Sequence, residues 1–175
     1  LLPRILDKIC SVYVGFFRGT PIVVQLLLAY YVLFPLCGVN IGSLNTCMLV
    51  FGLNSGAYVS EIMRGGILSV DSGQMEAGRS LGFGYVPTMR FIILPQAFKT
   101  VLPTLANEFI VLLKETAVAG YVGLCDITYA GNIIGGNVYD YLFPLLMSAM
   151  IYLALVMFFT YLVGKLERRL RTSER

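Results

Sequence analysis

Four stretches of this chain are apolar over a length that suits a bilayer, and polar or glycine-rich segments separate them. A spanning helix needs about 20 mostly apolar residues. Residues 141–164 give the clearest candidate, with no charged side chain between Tyr141 and Gly164. Pro144 falls in its first turn, where a missing N–H is tolerated. Residues 20–36 form a second span, opened by Arg18-Gly19-Thr20-Pro21 and closed near Pro35 and Gly38. Thr20 is expected to cap this helix and Pro21 to take its first position. Arg18 stands where a cationic head reaches lipid phosphate or a neighbouring carbonyl. The third span, residues 41–63, is dotted with Gly42, Ser43, Asn45, Thr46, Gly52, Asn54, Ser55 and Gly56. Small residues let helices approach closely in lipid. Glu61 and Arg64, three apart, can pair on one helix face.

Residues 65–90 are polar and broken by Gly73, Gly82 and Gly84. The fourth span, residues 92–114, carries Pro95 and Pro103 as well as Lys99, Asn107, Glu108 and Lys114. Its register has two solutions, since a start near Leu102 would place Lys114 and Glu115 in mid-membrane. Residues 116–140 are rich in glycine and only partly apolar. They read as a broken or re-entrant element, which is allowed where it is buried in protein or lines a cavity.

Composition agrees with a bilayer as solvent. The chain has 175 residues, 57% hydrophobic and 13% charged, against roughly a quarter charged in soluble domains. Lys165, Arg168, Arg169, Arg171 and Arg175 follow the last apolar run directly. Such a tail is the usual cytoplasmic flank rather than a nucleic-acid patch. Counting back through four spans puts the N-terminus and the 65–90 loop on the cytoplasmic side too. The start, Leu1-Leu2-Pro3-Arg4, reads as the middle of a longer pattern and shows no cleavable signal.

Several chemistries are excluded. The chain has no histidine. Cys10, Cys37, Cys47 and Cys125 form no C-x-x-C pair, and read as small buried hydrophobes. No metal site is expected. No G-x-x-x-x-G-K-[ST] loop is present, so ATP hydrolysis is not expected of this chain. No nucleophile comes with a base and an orienting partner.

The polar loop then needs a reason. Asp71 or Ser72 can cap a short helix, Glu76 sits early in it, and Gly82 can end it in a left-handed turn. A short rigid helix of this kind can seat in a groove of a cytosolic partner. The same pattern also fits an ordinary interhelical loop with an amphipathic surface helix. Inside the spans, ionisable and amide groups are costly and usually face a cavity or a partner. Asn54, Ser55, Asn107, Glu108, Lys114 and Glu115 are therefore candidate path-lining residues. Carboxylates suit a substrate ammonium and Lys114 a substrate carboxylate. An internal network of Lys114, Glu115 and Glu108 that fixes packing is the competing reading.

Glu76-Ala77-Gly78-x-x-x-Gly82, with Ile92-x-Leu94-Pro95 nine residues on, resembles the EAA loop of ABC importer permeases. Phe17-Arg18-Gly19-Thr20-Pro21-Ile22-Val23-Val24-Gln25 resembles a block of the polar amino-acid permeases within that family. Ala57-Tyr58-x-x-Glu61-x-x-Arg64-Gly65 and the stretch from Leu102-Pro103 through Asn107-Glu108 to Lys114-x-Thr116 fit the same subfamily. The resemblance covers nearly the whole chain. It departs at Gly78, where the family usually has Ala, a change that loosens a helix by up to ~1 kcal/mol. The family's first span also lacks a counterpart ahead of residue 1.

The resemblance implies an all-α integral membrane protein, a type I ABC importer transmembrane domain occupying residues 1–175. It implies about four spans and a cytoplasmic coupling helix, in the inner (plasma) membrane with a cytoplasmic C-terminus. Gly73, Glu76, Ala77, Gly78 and Gly82 are the implied ATPase-coupling residues. The implied partners are a cytosolic ATPase dimer holding ATP and Mg, a second permease subunit, identical or paralogous, and an extracytoplasmic solute-binding protein. The implied cargo is an amino acid. A motor-independent transporter or channel, and a non-transporting membrane scaffold, are the alternative functions.

Overall fold

The computed structural model describes residues 2–172, with side chains described for residues 4–168. All regular structure among the described residues is helical. The residues fall into two compact units. One joins the described residues up to Tyr58 with Ile110–Phe159, and the other joins Val59–Phe109 with the described residues from Thr160 onward.

The first unit opens with helix α1, Leu2–Gly19, which lies outside the four expected spans. Ile5, Ile9, Val12 and Phe16 recur at helical spacing, with Arg4, Asp7 and Lys8 on the other faces, so the helix is amphipathic. Helix α2 follows over Ile22–Leu36 at an angle of 105°. Its middle, Ala29–Leu33, widens into a π-helical turn. Thr20 does not cap it. Pro21 is the cap residue, with φ −65° and ψ 136°, and the Thr20 hydroxyl donates instead to Phe16 O at 2.8 Å. The extended ψ of Pro21 delays the helix to Ile22 and leaves the threonine in the elbow.

Gln25 locks that elbow. It is 6% exposed, and its amide nitrogen lies 2.9 Å from Phe17 O and 2.8 Å from Thr20 Oγ1. Its carbonyl oxygen accepts from Asn54 Nδ2 at 3.1 Å, and the same nitrogen donates to Phe17 O at 3.1 Å. Asn54 belongs to helix α3, Gly42–Leu68, and is 4% exposed. Asn54→Leu would leave the buried Gln25 oxygen without this donor, a loss of about 1–3 kcal/mol. A lower midpoint of thermal unfolding in detergent, with unchanged helix content at 25 °C, is the expected result. Beneath the elbow, Leu26 and Ala29 of α2 pack with Cys47 and Val50 of α3 and with Ala119 and Val122.

Residues Thr116–Val122 form a 3₁₀ segment that closes at Gly123, φ +80°. The broken element expected over 116–140 is this segment followed by a short helix, Ile127–Val138. Asp126 caps that helix, accepting from Thr128 N at 2.9 Å and Tyr129 N at 3.0 Å. Its 12 residues reach only about 18 Å, short of a bilayer core. Gly131 and Gly135 let the last helix approach, since a Cβ there would lie 2.5 Å from Ser148 Oγ and 2.7 Å from Tyr141 Cδ1 respectively. Of the four cysteines only Cys47 is buried; Cys10, Cys37 and Cys125 are exposed on the isolated chain. In a chain whose surface is largely apolar, a small hydrophobe has no need to be covered by its own fold.

In the second unit, α3 runs on to Leu68, five residues past the expected span end. Helix α4 is Ser72–Ser80. Helix α5 is one uninterrupted run over residues 85–115: α-helical at Tyr85–Thr88, π-helical at Met89–Ile93, and α-helical again at Leu94–Glu115. The polar loop is therefore shorter than residues 65–90, and the next helix begins before Ile92. Pro95 does not break this helix because a π-turn precedes it, with Leu94 N–H reaching back to Met89 O. Ile93, Ala97 and Val101 are buried, and Gly66 of α3 sits against Val101.

The last helix, α7, is Leu142–Thr172, with Ile127–Val138 counted as α6. It continues through the first basic residues of the tail instead of stopping at Gly164. Among the described residues it is the one single helix that is both long and apolar enough to cross a membrane, over Leu142–Arg168. The bent pair Arg4–Gly19 and Ile22–Leu36 is long and apolar enough when its two arms are taken together. Helices α3 and α5, with 27 residues and 31 by count over 85–115, extend for about 40 Å or more but are more polar. Asn45 and Asn54 dilute α3, and Lys99, Glu108, Lys114 and Glu115 dilute α5.

Candidate coupling surface and path residues

Helix α4 is fixed at both ends by its own sequence. Asp71 caps it, accepting from Gly73 N at 2.7 Å. A Cβ on Gly73 would lie 2.7 Å from that same Asp71 oxygen, so glycine keeps the cap close. At the other end Gly82 adopts φ +87°. Gly82 N–H reaches Arg79 O at 3.0 Å and Phe83 N–H reaches Gly78 O at 3.1 Å. This is a Schellman closure, and it satisfies carbonyls that a helix end otherwise leaves open.

One face of α4 is pinned on α5. Gly78 is buried, and a Cβ on it would lie 2.5 Å from Thr88 Cγ2 and 3.1 Å from Ile92 Cδ1. Gly78 therefore does not simply loosen the helix; its missing side chain permits the contact with Thr88. Gln96 Nε2 adds a bond to Gln74 Oε1 at 3.3 Å. Glu76, Ala77, Arg79 and Ser80 are exposed. The result is a short, doubly capped helix with one seated face and one presented face.

Four apolar residues beside it were not anticipated. Leu81, Phe83, Tyr85 and Val86 are 78%, 49%, 62% and 70% exposed. Their signal in the sequence is an aromatic and aliphatic cluster, Leu81-Gly82-Phe83-Gly84-Tyr85-Val86, inside an otherwise polar loop.

The path-lining candidates have different environments. Asn107 is exposed and Glu108 half-buried on the part of α5 in the second unit. Lys114 is exposed and Glu115 half-buried at the end of α5, in the first unit. Ser55 is half-buried on α3. Asn54 is buried in the first unit, with its Nδ2 donating both bonds described above to the elbow. Glu61 and Arg64 form the expected pair, with Nε to Oε1 at 2.9 Å and Nη2 to Oε2 at 2.8 Å. At this exposure the pair adds little stability. Arg18 places its guanidinium 5.4 Å from the Tyr58 ring centroid, a cation–π contact.

Comparison with known proteins places this arrangement. The arginine transport system permease protein ArtQ of Bacillus subtilis (strain 168) is 40% identical over 166 residues, 95% of this chain and 76% of that protein. A putative glutamine transport system permease protein, GlnP of Rickettsia bellii (strain RML369-C), is 38% identical, covering 97% of this chain and 78% of its own. A crystal structure described as an amino acid ABC transporter with histidines superposes with a TM-score of 0.91 at 42% identity, over 95% of this chain and 77% of that one. The inward-facing MetNI methionine ABC transporter has the same fold, with a TM-score of 0.77 at 19% identity over 94% of this chain and 76% of that one. The model of the family described as binding-protein-dependent transport system inner membrane component matches residues 1–172, and the chain belongs to that family.

Proposed function

We propose that this chain is the permease subunit of an ATP-driven importer whose cargo is a polar amino acid. It would work as a multi-pass protein of the inner membrane with its C-terminus in the cytoplasm. ATP and Mg would be held by a separate cytosolic ATPase dimer gripping α4. A second permease, identical or paralogous, would complete the path, and an extracytoplasmic binding protein would deliver the cargo. The observation that carries this reading is α4 itself: capped by Asp71, closed at Gly82, seated through Gly78 and presenting Glu76 and Ala77. A helix so fixed moves as a unit with α5, which is what force transmission requires. The exposed Leu81, Phe83 and Tyr85 would supply the apolar contact that a charged helix alone lacks.

Along α5, Glu108 and Glu115 suit the ammonium of an amino acid and Lys114 its carboxylate, with Asn107 and Ser55 as neutral hydrogen-bonding groups. The relatives named for arginine and glutamine support an amino acid as cargo. Reconstitution in proteoliposomes tests the reading. Uptake of labelled amino acid is expected only with permeases, ATPase, binding protein and internal ATP together. Uptake without ATP would mark a motor-independent path, and no flux with the full set would mark a scaffold. A Glu108→Gln variant is expected to reduce uptake while leaving complex assembly intact.

A further inference from the structure

We propose that the C-terminal end of α7 holds the headgroup of an acidic phospholipid. Thr160, Tyr161, Gly164, Lys165 and Arg168 line a cleft of about 360 Å³ within the second unit. Their spacing, i, i+1, i+4, i+5 and i+8, puts them on one helix face. Tyr161 is 70% exposed, and Lys165 and Arg168 are exposed. Gly164 forms the floor, since a Cβ there would meet nothing within 4 Å. The cleft is thus a notch flanked by an ammonium, a guanidinium and two hydroxyls.

Its position selects the occupant. The cleft lies at the end of Leu142–Arg168, whose most apolar 18 residues have mean hydropathy 2.3 and are only 6% buried by the chain itself. Tyrosine and basic residues at the end of such a stretch sit at headgroup level. Lipid is the solvent of the adjoining helix, so a headgroup reaches the notch with its acyl chains already in place. The phosphodiester would accept from Lys165 and Arg168, and the hydroxyls of Thr160 and Tyr161 would face the polar end of the headgroup. The inference rests on α7 lying in a bilayer, not on the identity of any cargo.

The test compares phosphatidylglycerol and phosphatidylcholine of identical acyl chains, titrated onto the purified full chain and read by native mass spectrometry. Phosphatidylglycerol is expected to bind more tightly. Lys165→Gln and Arg168→Gln should each weaken it about fivefold and weaken phosphatidylcholine less, because its choline ammonium offsets the charge of its own phosphodiester. Gly164→Leu keeps the charge but fills the notch, and should weaken phosphatidylglycerol comparably with helix content unchanged. Equal binding of the two lipids overturns the proposal. Full binding to Gly164→Leu also overturns it, by showing a diffuse basic flank instead of a site. Release of the chain from membranes by alkali would remove the premise as well, whereas a retained chain without lipid preference would sink only the proposal.

Discussion

A Glu76→Lys permease is expected to insert and fold as the parent does, yet to lose ATP-driven uptake about tenfold or more. The separation follows from where the side chain stands. Glu76 is exposed on α4, and its carbonyl, not its carboxylate, receives the Ser80 hydroxyl at 2.9 Å. Reversing its charge therefore disturbs neither the Asp71 cap nor the Gly78 seat. What it changes is the exposed face of α4, the face proposed to meet the motor. Truncating one partner of a buried charge pair across an interface costs about 2–5 kcal/mol, and placing a lysine there adds repulsion to that loss. The measurement is the ratio of amino acid taken up to ATP hydrolysed in proteoliposomes. A lowered ratio with normal membrane content supports the coupling role. An unchanged ratio would show that this face of α4 does not meet the motor.

Much of that geometry could be read from residue types. Asp71 and Gly82 bracket a short helix because a carboxylate takes N-terminal amides and a glycine takes φ +87°. Both signals are local, acting over two to five residues, and both appear where expected. The Glu61–Arg64 pair and the long apolar helix from Leu142 were legible for the same reason. What escaped depends on distant contacts. Thr20 looks like a cap until its hydroxyl donates to Phe16 O and its oxygen accepts from Gln25 Nε2. Asn54 gives no sign in the sequence of its partners, because only the bend brings Gln25 and Phe17 to its amide. The fourth span looks to start at Ile92, yet α5 begins seven residues earlier at Tyr85, and a π-turn carries it past Pro95. Helix α1 was hidden because its charges mask an apolar stripe too narrow for a span.

Gly78 is the sharpest of these cases, and it yields the second large effect. Gly78→Ala gains about 1 kcal/mol of helix propensity, so a sequence argument alone predicts a firmer α4. Packing opposes this. The new Cβ would lie 2.5 Å from Thr88 Cγ2 and 2.9 Å from Thr88 Oγ1. Thr88 is fully buried, and its hydroxyl donates to Gly84 O at 2.9 Å, so it cannot rotate away without losing that bond. Ile92 Cδ1, at 3.1 Å, is the end of a flexible side chain and can give. Overpacking of this kind costs about 1–3 kcal/mol, enough to outweigh the propensity gain. Gly78→Val should go further and lift α4 from α5. The expected readout is faster proteolysis within residues 69–84 and a parallel fall in coupled uptake, with α7 still in the membrane. A partner change isolates the cause. Thr88→Ala removes both clashing atoms, and the double variant Gly78→Ala with Thr88→Ala should regain protection, giving a coupling energy of about 1–2 kcal/mol in a double-mutant cycle. Additive effects would mean that α4 is seated by other contacts. The usual alanine of the EAA pattern would then fit here as well, and the glycine would carry no packing role.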